Sequence, residues 1–263
     1  ILTALKGLVS ATKTSGHTLQ IADGLWLDKK FKAAMMKSIA QSELDRKRFV
    51  YSDIGFILLQ QVVEAVTGKT LDAYLVSEFY RPMGLEHTLF QPLNRYKKAD
   101  IMPTAANDYL RRQDLCGYVH DEAAAFMGGV SGNAGLFSTA QELGKIYQMI
   151  LNEGELDGKR YLRPETCRIF TTEKSAVSHR GLGYDKPNLK DPKANACASS
   201  APASVYGHTG FTGTCAWVDP ENDLVYIFLS NRLCPDAWNG KLNSMKIRQA
   251  IQEVIYQSLY TPE

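Results

Sequence analysis

The strongest constraint on the fold is a change in the spacing of apolar residues near Val205. Before Val205, apolar side chains recur mainly at helical spacing. After it, Thr214 to Asp219 and Leu224 to Ser230 are strand-like segments separated by a short turn of Pro, Glu, Asn and Asp. An amphipathic segment from Lys241 to Leu259 then predicts a packing helix. A helical region followed by an antiparallel hairpin and a helix predicts an α+β fold.

The clearest helix is predicted over Tyr51 to Val66, where apolar residues recur at near-helical spacing. Ser52 or Asp53 can serve as its N-cap, and Gly68 is expected to end it. A second helix is predicted from the cap residue Thr139 through Leu151. These elements indicate a mostly helical middle of the chain.

Two connections between the predicted elements are long. Residues 85 to 118 contain prolines and polar turns and are expected to form an irregular connection, which often carries a functional site. Lys186 to Pro202 contains three prolines with Ala, Ser and Asn, and is expected to be a mobile surface loop. Neither segment shows the periodicity of a helix or a strand.

Composition excludes several classes of function. A net charge of +2, from 30 basic and 28 acidic residues, provides no argument for a nucleic-acid partner. No apolar run reaches the ~20 residues that a bilayer span requires. The five cysteines lie at wide, irregular spacing without a Cys-x-x-Cys pair or zinc-ligand spacing, so no metal site and mostly reduced thiols are expected, with one disulfide as the alternative.

Two triplets carry residue types suited to acyl transfer, namely Tyr51-Ser52-Asp53 and His208-Thr209-Gly210. A tyrosine acts as a base only when a nearby cation lowers its pKa from about 10. A Ser-x-x-Lys pair on one helix face supplies both the nucleophile and that ammonium. A His-Thr-Gly strand presents an imidazole and a hydroxyl, and its glycine lets a substrate approach the backbone.

In this order and with these flanks, the triplets resemble those of the superfamily of class C β-lactamases, penicillin-binding proteins and carboxylesterases. The resemblance extends from about Tyr51 onward. It includes FVYSDIGFILL (49–59), VHDEAAAFMGGVSGNAGLFST (119–139), RGLGYD (180–185), GHTGFTGT (207–214) and LSNR (229–232). The flanks are most similar to the β-lactamase-like domain fused to family 3 glycoside hydrolases in Bacteroidetes-type bacteria.

The resemblance implies a β-lactamase/DD-peptidase-like fold, in which an antiparallel sheet flanked by helices adjoins a mostly helical lobe. It implies one domain over 1–263, with a helical lobe at about 30–180 and a sheet lobe at about 181–263 plus N-terminal residues. The first strands of that fold are expected to be missing from this chain. The implied substrate is a β-lactam, a D-amino-acid peptide or a small ester, handled without metal or cofactor. A periplasmic or other extracytoplasmic location and a fused glycoside hydrolase partner are implied by the resemblance alone.

Carried over to this sequence, the resemblance makes Tyr51 the general base. Asp53 takes the place of the usual Asn, and its carboxylate could hold the catalytic lysine in its charged form. Ser10 and Lys13 match the nucleophile motif by letter, since Ser10-Ala11-Thr12-Lys13 reads Ser-x-x-Lys.

The sequence leaves the identity of the nucleophile open, because the residues after Lys13 form a poor helix and the spacing from Ser10 to Tyr51 is shorter than in the family. One interpretation takes Ser10 and Lys13 as the pair, and the other, which we favour, places the motif upstream of Ile1. A catalytically silent scaffold or cell-wall-binding module is the alternative to an enzyme.

The second triplet is implied to bind substrate. Thr209 would contact the substrate carboxylate or carbonyl, Gly210 would allow its close approach, and the Phe211 backbone N–H would be an oxyanion donor. His208 replaces the more common Lys, and a neutral imidazole binds a carboxylate less firmly than an ammonium does. This departure favours an esterase or peptidase over an efficient β-lactamase.

Overall fold

The computed structural model describes residues 29–43, 49–172 and 174–260, in which helices and short strands are interspersed. The helices are α1 (Lys29–Ala40), α2 (Ile54–Thr67), α3 (Leu71–Leu75), α4 (Glu122–Phe126), α5 (Ala140–Leu151), α6 (Pro164–Thr172), α7 (Lys241–Ser244) and α8 (Ile247–Tyr260). α3 continues as a π-helical turn (Val76–Tyr80), and 3₁₀ turns occur at Pro92–Asn94, Lys98–Asp100 and Pro192–Ala194. The strands are β1 (Leu89–Phe90), β2 (Pro103–Asp108), β3 (Gln113–Cys116), β4 (Leu136–Phe137), β5 (Glu155–Leu156), β6 (Lys159–Arg160), β7 (Tyr206–Thr209), β8 (Cys215–Asp219) and β9 (Leu224–Phe228). The predicted α+β class is confirmed.

The last three strands form an antiparallel sheet in the order β7, β8, β9. In its register His208 pairs with Ala216, and Trp217 pairs with Tyr226. Asp219 ends β8 and shapes the turn, because one oxygen of its carboxylate accepts two backbone N–H groups of the turn at 2.9 and 3.3 Å. The hairpin predicted from the sequence is therefore confirmed, with slightly shorter strands.

One face of this sheet packs against α8 and against the segment that leads into β7. The buried side chains of this core are Cys197, Ala198, Ala201, Val205, Cys215, Trp217, Tyr226 and Tyr256. The Ala198 N–H donates to Gln252 Oε1 of α8 at 2.9 Å. The expectation of a surface loop over Lys186 to Pro202 is wrong at both ends of the segment, where Pro187 is fully buried and Cys197 and Ala198 are 2% and 0% exposed. Small side chains allow this segment to lie directly against the sheet.

The five cysteines are free thiols, and Cys116, Cys167, Cys197 and Cys215 are buried. Burial raises the pKa of the Cys197 thiol to about 12 and that of the Cys215 thiol to about 11. Both groups are therefore protonated core side chains at neutral pH and unsuited to act as nucleophiles.

The helical part contains two further cores. α1, α2 and α4 share the buried side chains Met35, Ile39, Ile57, Phe126 and Met127. α5 packs on the segment after α3 and on β5 through Tyr80, Met83, Leu85, Met149 and Leu156. The division into a helical lobe at about 30–180 and a sheet lobe at about 181–263 stays a prediction.

α2 begins at Ile54, later than the predicted start at Tyr51. The Ser52 hydroxyl accepts the Ile54 N–H at 3.3 Å, while Asp53 occupies the N-cap position without a side-chain cap bond. Gly68 follows the last residue of the helix in the left-handed conformation, with φ of 66°. Because Tyr51 precedes the helix, its side chain is not tied to a helical face and lies toward the sheet.

The long connection over residues 85 to 118 is more regular than predicted. β1 pairs with β4, and β2 pairs with β3 in an antiparallel hairpin. Register shifts interrupt the β2–β3 pairing on both sides of Ala105, and Pro103 and Asn107 are weak strand formers. The hairpin is stabilised by packing of Ala105 and Leu115 against Leu233, which comes from beyond the C-terminal sheet.

α5 is capped as predicted, and its first turn also fixes the chain that precedes β1. The Thr139 hydroxyl accepts the Glu142 N–H at 3.3 Å. The Glu142 carboxylate in turn accepts the backbone N–H groups of Glu86 and His87, each at 2.9 Å, and the Thr88 hydroxyl at 2.6 Å. Burial alone would raise the pKa of Glu142, yet these hydrogen bonds outweigh it and hold the pKa below its usual value.

The predicted C-terminal helix over Lys241 to Leu259 is divided into α7 and α8. The interruption falls at Lys246, which has a left-handed φ of 49°. Tyr256 of α8 donates a buried hydrogen bond to Asp219 Oδ2 at 2.8 Å and so ties the helix to the sheet turn. Within the described ranges, no helix combines the length and apolarity needed to cross a bilayer.

Candidate active site

The structure brings the two triplets together, although they lie far apart in the sequence. Tyr51 precedes α2, and His208 lies on β7. Their ring centroids are 6.5 Å apart, with the ring planes inclined by 32°. The phenol and the imidazole-bearing strand therefore belong to one site.

The Tyr51 phenol lies between a carboxylate and a guanidinium. Its hydroxyl donates to Asp53 Oδ1 at 3.2 Å, and the Arg180 guanidinium lies 4.7 Å from the ring centroid. Burial and the Asp53 carboxylate raise the pKa of Tyr51, while the Arg180 charge lowers it to a smaller extent. The phenol is therefore protonated at neutral pH, and a further cation must approach it before it can act as a base.

Asp53 connects Tyr51 to a second carboxylate. Burial, and then the charge of Asp121, raise the pKa of Asp53, while the hydrogen bond from the Tyr51 hydroxyl opposes this shift. Asp121 is fixed as the N-cap of α4, because its Oδ1 accepts the Ala124 N–H at 2.7 Å and the Asn133 amide at 3.0 Å. The site thus contains a second carboxylate close enough to disfavour the charge of Asp53.

Asp53→Asn is predicted to stabilise the fold at neutral pH. The Asp53 carboxyl has a raised pKa in the folded protein, so it binds its proton more tightly there than in the unfolded chain. The folded protein therefore loses stability as the pH rises from the unfolded-state pKa of about 3.9 through the raised native pKa. Asn retains an acceptor for Tyr51 and has no charge. We expect the variant to gain up to about 1 kcal/mol at pH 7, because solvent screens this half-buried group.

Urea unfolding of Asp53→Asn and wild type at pH 3.5 and pH 7 would measure this gain. The exposed residue Asp191 provides the control Asp191→Asn. A gain for Asp53→Asn that is larger at pH 3.5 than at pH 7 would contradict the prediction.

Both ring nitrogens of His208 are engaged. Nε2 lies 2.9 Å from Arg180 Nη1, and Nδ1 lies 2.7 Å from the Thr209 carbonyl oxygen. A guanidinium only donates and a carbonyl only accepts. These partners assign the neutral tautomer to His208, with the proton on Nδ1 and the lone pair of Nε2 directed to Arg180.

Arg180 is fixed by Asp185. Its Nη2 donates a hydrogen bond to Asp185 Oδ2 at 3.3 Å and lies 3.0 Å from Oδ1 of the same carboxylate. The Asp185 backbone is itself bridged to Gly207 of β7 by N–H···O bonds of 2.7 and 3.1 Å. A Cβ at Gly207 would lie 2.1 Å from the Ala216 carbonyl oxygen, so only glycine fits this position of the strand.

The remaining residues of the second triplet lie at the end of β7. Thr209 pairs with Cys215 in the ladder, and the Gly210 N–H donates to the Thr214 carbonyl at 2.8 Å. The Phe211 backbone N–H donates to no acceptor among the described residues. This free donor next to Thr209 is compatible with the oxyanion role that was predicted for it.

The Phe211 side chain forms an exposed wall of the site. It is 66% exposed; the His120 ring stacks with it at 5.2 Å between centroids, and the Arg232 guanidinium lies 4.4 Å from its centroid. These two contacts hold the ring in place although most of it is open to solvent. Such a wall can contact the apolar part of a substrate.

Arg180 and Asp185 were not assigned a role from the sequence, although both lie in the RGLGYD segment. A usable signal was present, since two opposite charges flank a Gly-x-Gly turn directly before the strand region. The predicted nucleophile pair, Ser10 and Lys13, lies outside the described residues. In the part of the chain that the structure describes, no group of His, Cys, Asp or Glu is arranged to hold a metal ion.

The fold and this arrangement define a β-lactamase/DD-peptidase-like protein, with helices beside an antiparallel sheet and a tyrosine facing β7, the first strand of that sheet. A family model described as Beta-lactamase matches residues 11–243, and the chain belongs to this family. This family has the fold described above and is a family of hydrolases.

Individual relatives agree with this assignment. An Escherichia coli K12 protein named "Putative D-alanyl-D-alanine carboxypeptidase" is 38% identical over 197 residues, covering 70% of this chain and 45% of that protein. The chain thus spans about half the length of such curated relatives. Among solved structures, a penicillin-binding protein homologue from Pyrococcus abyssi has a TM-score of 0.56 at 18% identity, covering 89% of this chain and 52% of that one. EstCE1, described as a hydrolase with promiscuous acyltransferase activity, has a TM-score of 0.57 at 19% identity, covering 90% and 65%. These two likenesses concern the fold.

Proposed function

We propose that this chain carries the base and the substrate-binding strand of a serine hydrolase that cleaves peptides ending in D-alanine through an acyl-enzyme. The observation that carries the proposal is the approach of Tyr51 to His208 at 6.5 Å, with Arg180 over the phenol. β-Lactams and small esters react through the same acyl-enzyme chemistry and are secondary substrates in this proposal.

In the acylation step the serine oxygen bonds to the substrate carbonyl carbon, and the serine proton passes to the Tyr51 phenolate. The oxyanion is stabilised by backbone donors, for which the Phe211 N–H is our candidate. Tyr51 then returns the proton to the departing amine as the C–N bond breaks. Water cleaves the resulting ester by the same proton path in reverse, which releases the acid and restores the serine.

The base role requires more than the described residues provide. Because burial and Asp53 raise the pKa of Tyr51, an ammonium must lie near the phenol to generate the phenolate. The lysine of a Ser-x-x-Lys motif is the group proposed for this purpose. The Asp53 carboxylate would then hold that lysine in its charged form, which gives a role to the replacement of the usual Asn.

A peptide is favoured over a β-lactam as the main substrate because the E. coli relative is named "Putative D-alanyl-D-alanine carboxypeptidase". The strand carries His208, neutral in the tautomer assigned above, where an ammonium is more common. An extracytoplasmic location and a fused family 3 glycoside hydrolase belong to the same proposal, since both would bring the site to cell-wall material.

The raised pKa of Tyr51 favours a second candidate function, a catalytically silent module. In that case the site would bind the peptide without forming an acyl-enzyme, because a protonated phenol cannot accept the serine proton. The two candidates differ in whether a covalent adduct forms.

Mapping of a penicillin adduct tests the proposal. Full-length protein incubated with a fluorescent penicillin is expected to form one covalent adduct on a serine of a Ser-x-x-Lys motif, together with D-alanine release from a D-alanyl-D-alanine peptide. Tandem mass spectrometry of the labelled peptide identifies the serine, and Ser10→Ala with Ser15→Ala as control decides whether Ser10 is that residue. A folded protein with neither adduct nor release would support the silent module instead.

A further inference from the structure

His208 has no ring nitrogen left for a substrate. Its Nδ1–H donates to the Thr209 carbonyl, and its Nε2 accepts from Arg180 at 2.9 Å. A substrate carboxylate needs a donor, and both nitrogens are already engaged. The positive charge of this site must therefore come from another side chain.

Arg180 is placed to supply that charge. Its guanidinium lies 4.7 Å from the centroid of the Tyr51 ring and 5.9 Å from that of Phe49, and its side chain is 23% exposed. The ring faces restrict the guanidinium to one side of the phenol. The cation therefore lies where a substrate bound beside Tyr51 would meet it.

Arg180 also retains donors for a ligand. A guanidinium has five N–H groups, and the described hydrogen bonds to His208 and Asp185 use two of them. Asp185 is buried and holds the side chain in place, so little side-chain entropy remains to be lost on binding. A planar carboxylate suits the remaining donors, because it can accept two parallel N–H groups.

We propose that Arg180 is a specificity-determining residue that binds the terminal carboxylate of the substrate beside Tyr51, while His208 and Asp185 act as positioning residues for it. The proposal rests on the proposed function and specifies its substrate as a peptide with a free carboxylate. The charge comes from the segment before β7 rather than from the His-Thr-Gly strand itself.

A binding comparison tests this proposal. The titrations use the Tyr51→Phe background, which keeps the ring beneath Arg180 and slows release of D-alanine, and wild type here denotes the protein with Arg180 unchanged. Isothermal titration of the full-length protein would use diacetyl-L-lysyl-D-alanyl-D-alanine as the free acid and as the C-terminal amide. We expect wild type to prefer the acid and Arg180→Gln to weaken acid binding about 10- to 100-fold, with amide binding changed less than about 3-fold. Arg180→Lys should retain part of the preference, because it keeps the charge without the planar donor pair.

Two further variants separate charge recognition from a general defect. Arg180→Gln leaves the buried Asp185 with only the His179 imidazole, 3.6 Å away, as an ionisable neighbour. Arg180→Gln combined with Asp185→Asn restores a neutral pair and should show the same lost preference in a stably folded protein. Arg168 pairs with Glu153 on an exposed helix position, and Arg168→Gln is the matched control that should keep the preference.

The outcomes are distinct. The proposal would be overturned if wild type bound the acid and the amide equally. It would also be overturned if the preference for the acid survived in both Arg180→Gln proteins, or if Arg232→Gln removed that preference instead. Acid preference that depends on Arg180, observed without D-alanine release or penicillin adduct, would support it while rejecting the hydrolase function.

Discussion

Tyr51→Phe is expected to lower kcat/KM for D-alanine release by about a hundredfold to ten-thousandfold while leaving the fold intact. This range is the usual contribution of a positioned general acid–base group. The change removes only the hydroxyl that donates to Asp53 at 3.2 Å and keeps the ring beneath Arg180. Release of D-alanine by the full-length protein, measured with its circular dichroism spectrum and thermal unfolding, separates loss of chemistry from loss of structure.

Tyr161→Phe is the matched control for this experiment. It also deletes one phenolic hydroxyl, which donates to the Pro82 carbonyl at 2.9 Å in the core around α5. We expect it to alter stability slightly and kcat/KM by less than about twofold. A Tyr51→Phe protein with the wild-type rate would remove Tyr51 from the mechanism.

Glu142→Leu is expected to reduce the free energy of unfolding by about 3 to 5 kcal/mol at pH 7. The side chain is buried, and leucine would leave two backbone N–H groups without their acceptor and the Thr88 hydroxyl with Ser138 as its remaining partner. Glu142→Gln keeps one oxygen acceptor and should lose about 2 kcal/mol. Urea unfolding monitored by tryptophan fluorescence measures both losses.

The contribution of Glu142 to the free energy of unfolding should decrease as the pH falls. Its native pKa is lowered, because the hydrogen bonds from Thr88, His87 and Glu86 outweigh burial. Its stabilisation is therefore complete above the unfolded pKa of about 4.3 and is lost as the pH falls through the native pKa. The difference between wild type and Glu142→Gln should shrink below pH 4. A difference that grows on acidification would contradict this assignment.

Elements governed by local signals could be predicted from the sequence. The end of α2 at Gly68 and the start of α5 at Thr139 are local backbone and capping effects, and the structure has both. The hairpin around Asp219 is also encoded by neighbouring residues. Tyr51 and His208 could be expected in one cleft only through the family resemblance, because no local pattern specifies a contact between distant segments.

Features that depend on long-range packing were missed. The β2–β3 hairpin is interrupted by register shifts and depends on Leu233, so its sequence lacks the alternation of a regular strand pair. The segment around Ala198 is buried because small residues meet a sheet, whereas its prolines indicated a surface loop. Arg180 acquires its neighbours only when Asp185 bridges to β7, which no pattern in the RGLGYD segment reveals.

The bridge between Asp185 and Gly207 joins the segment that carries Arg180 to the sheet. The strand must keep glycine at 207, because the backbone of β8 leaves no room for a side chain there. Arg180 lies outside this ladder and is held by its ion pair with Asp185. If Arg180 binds the substrate as proposed, replacing this side chain would change the charge of the ligand that the site prefers, while the backbone pairing of Asp185 with β7 would remain.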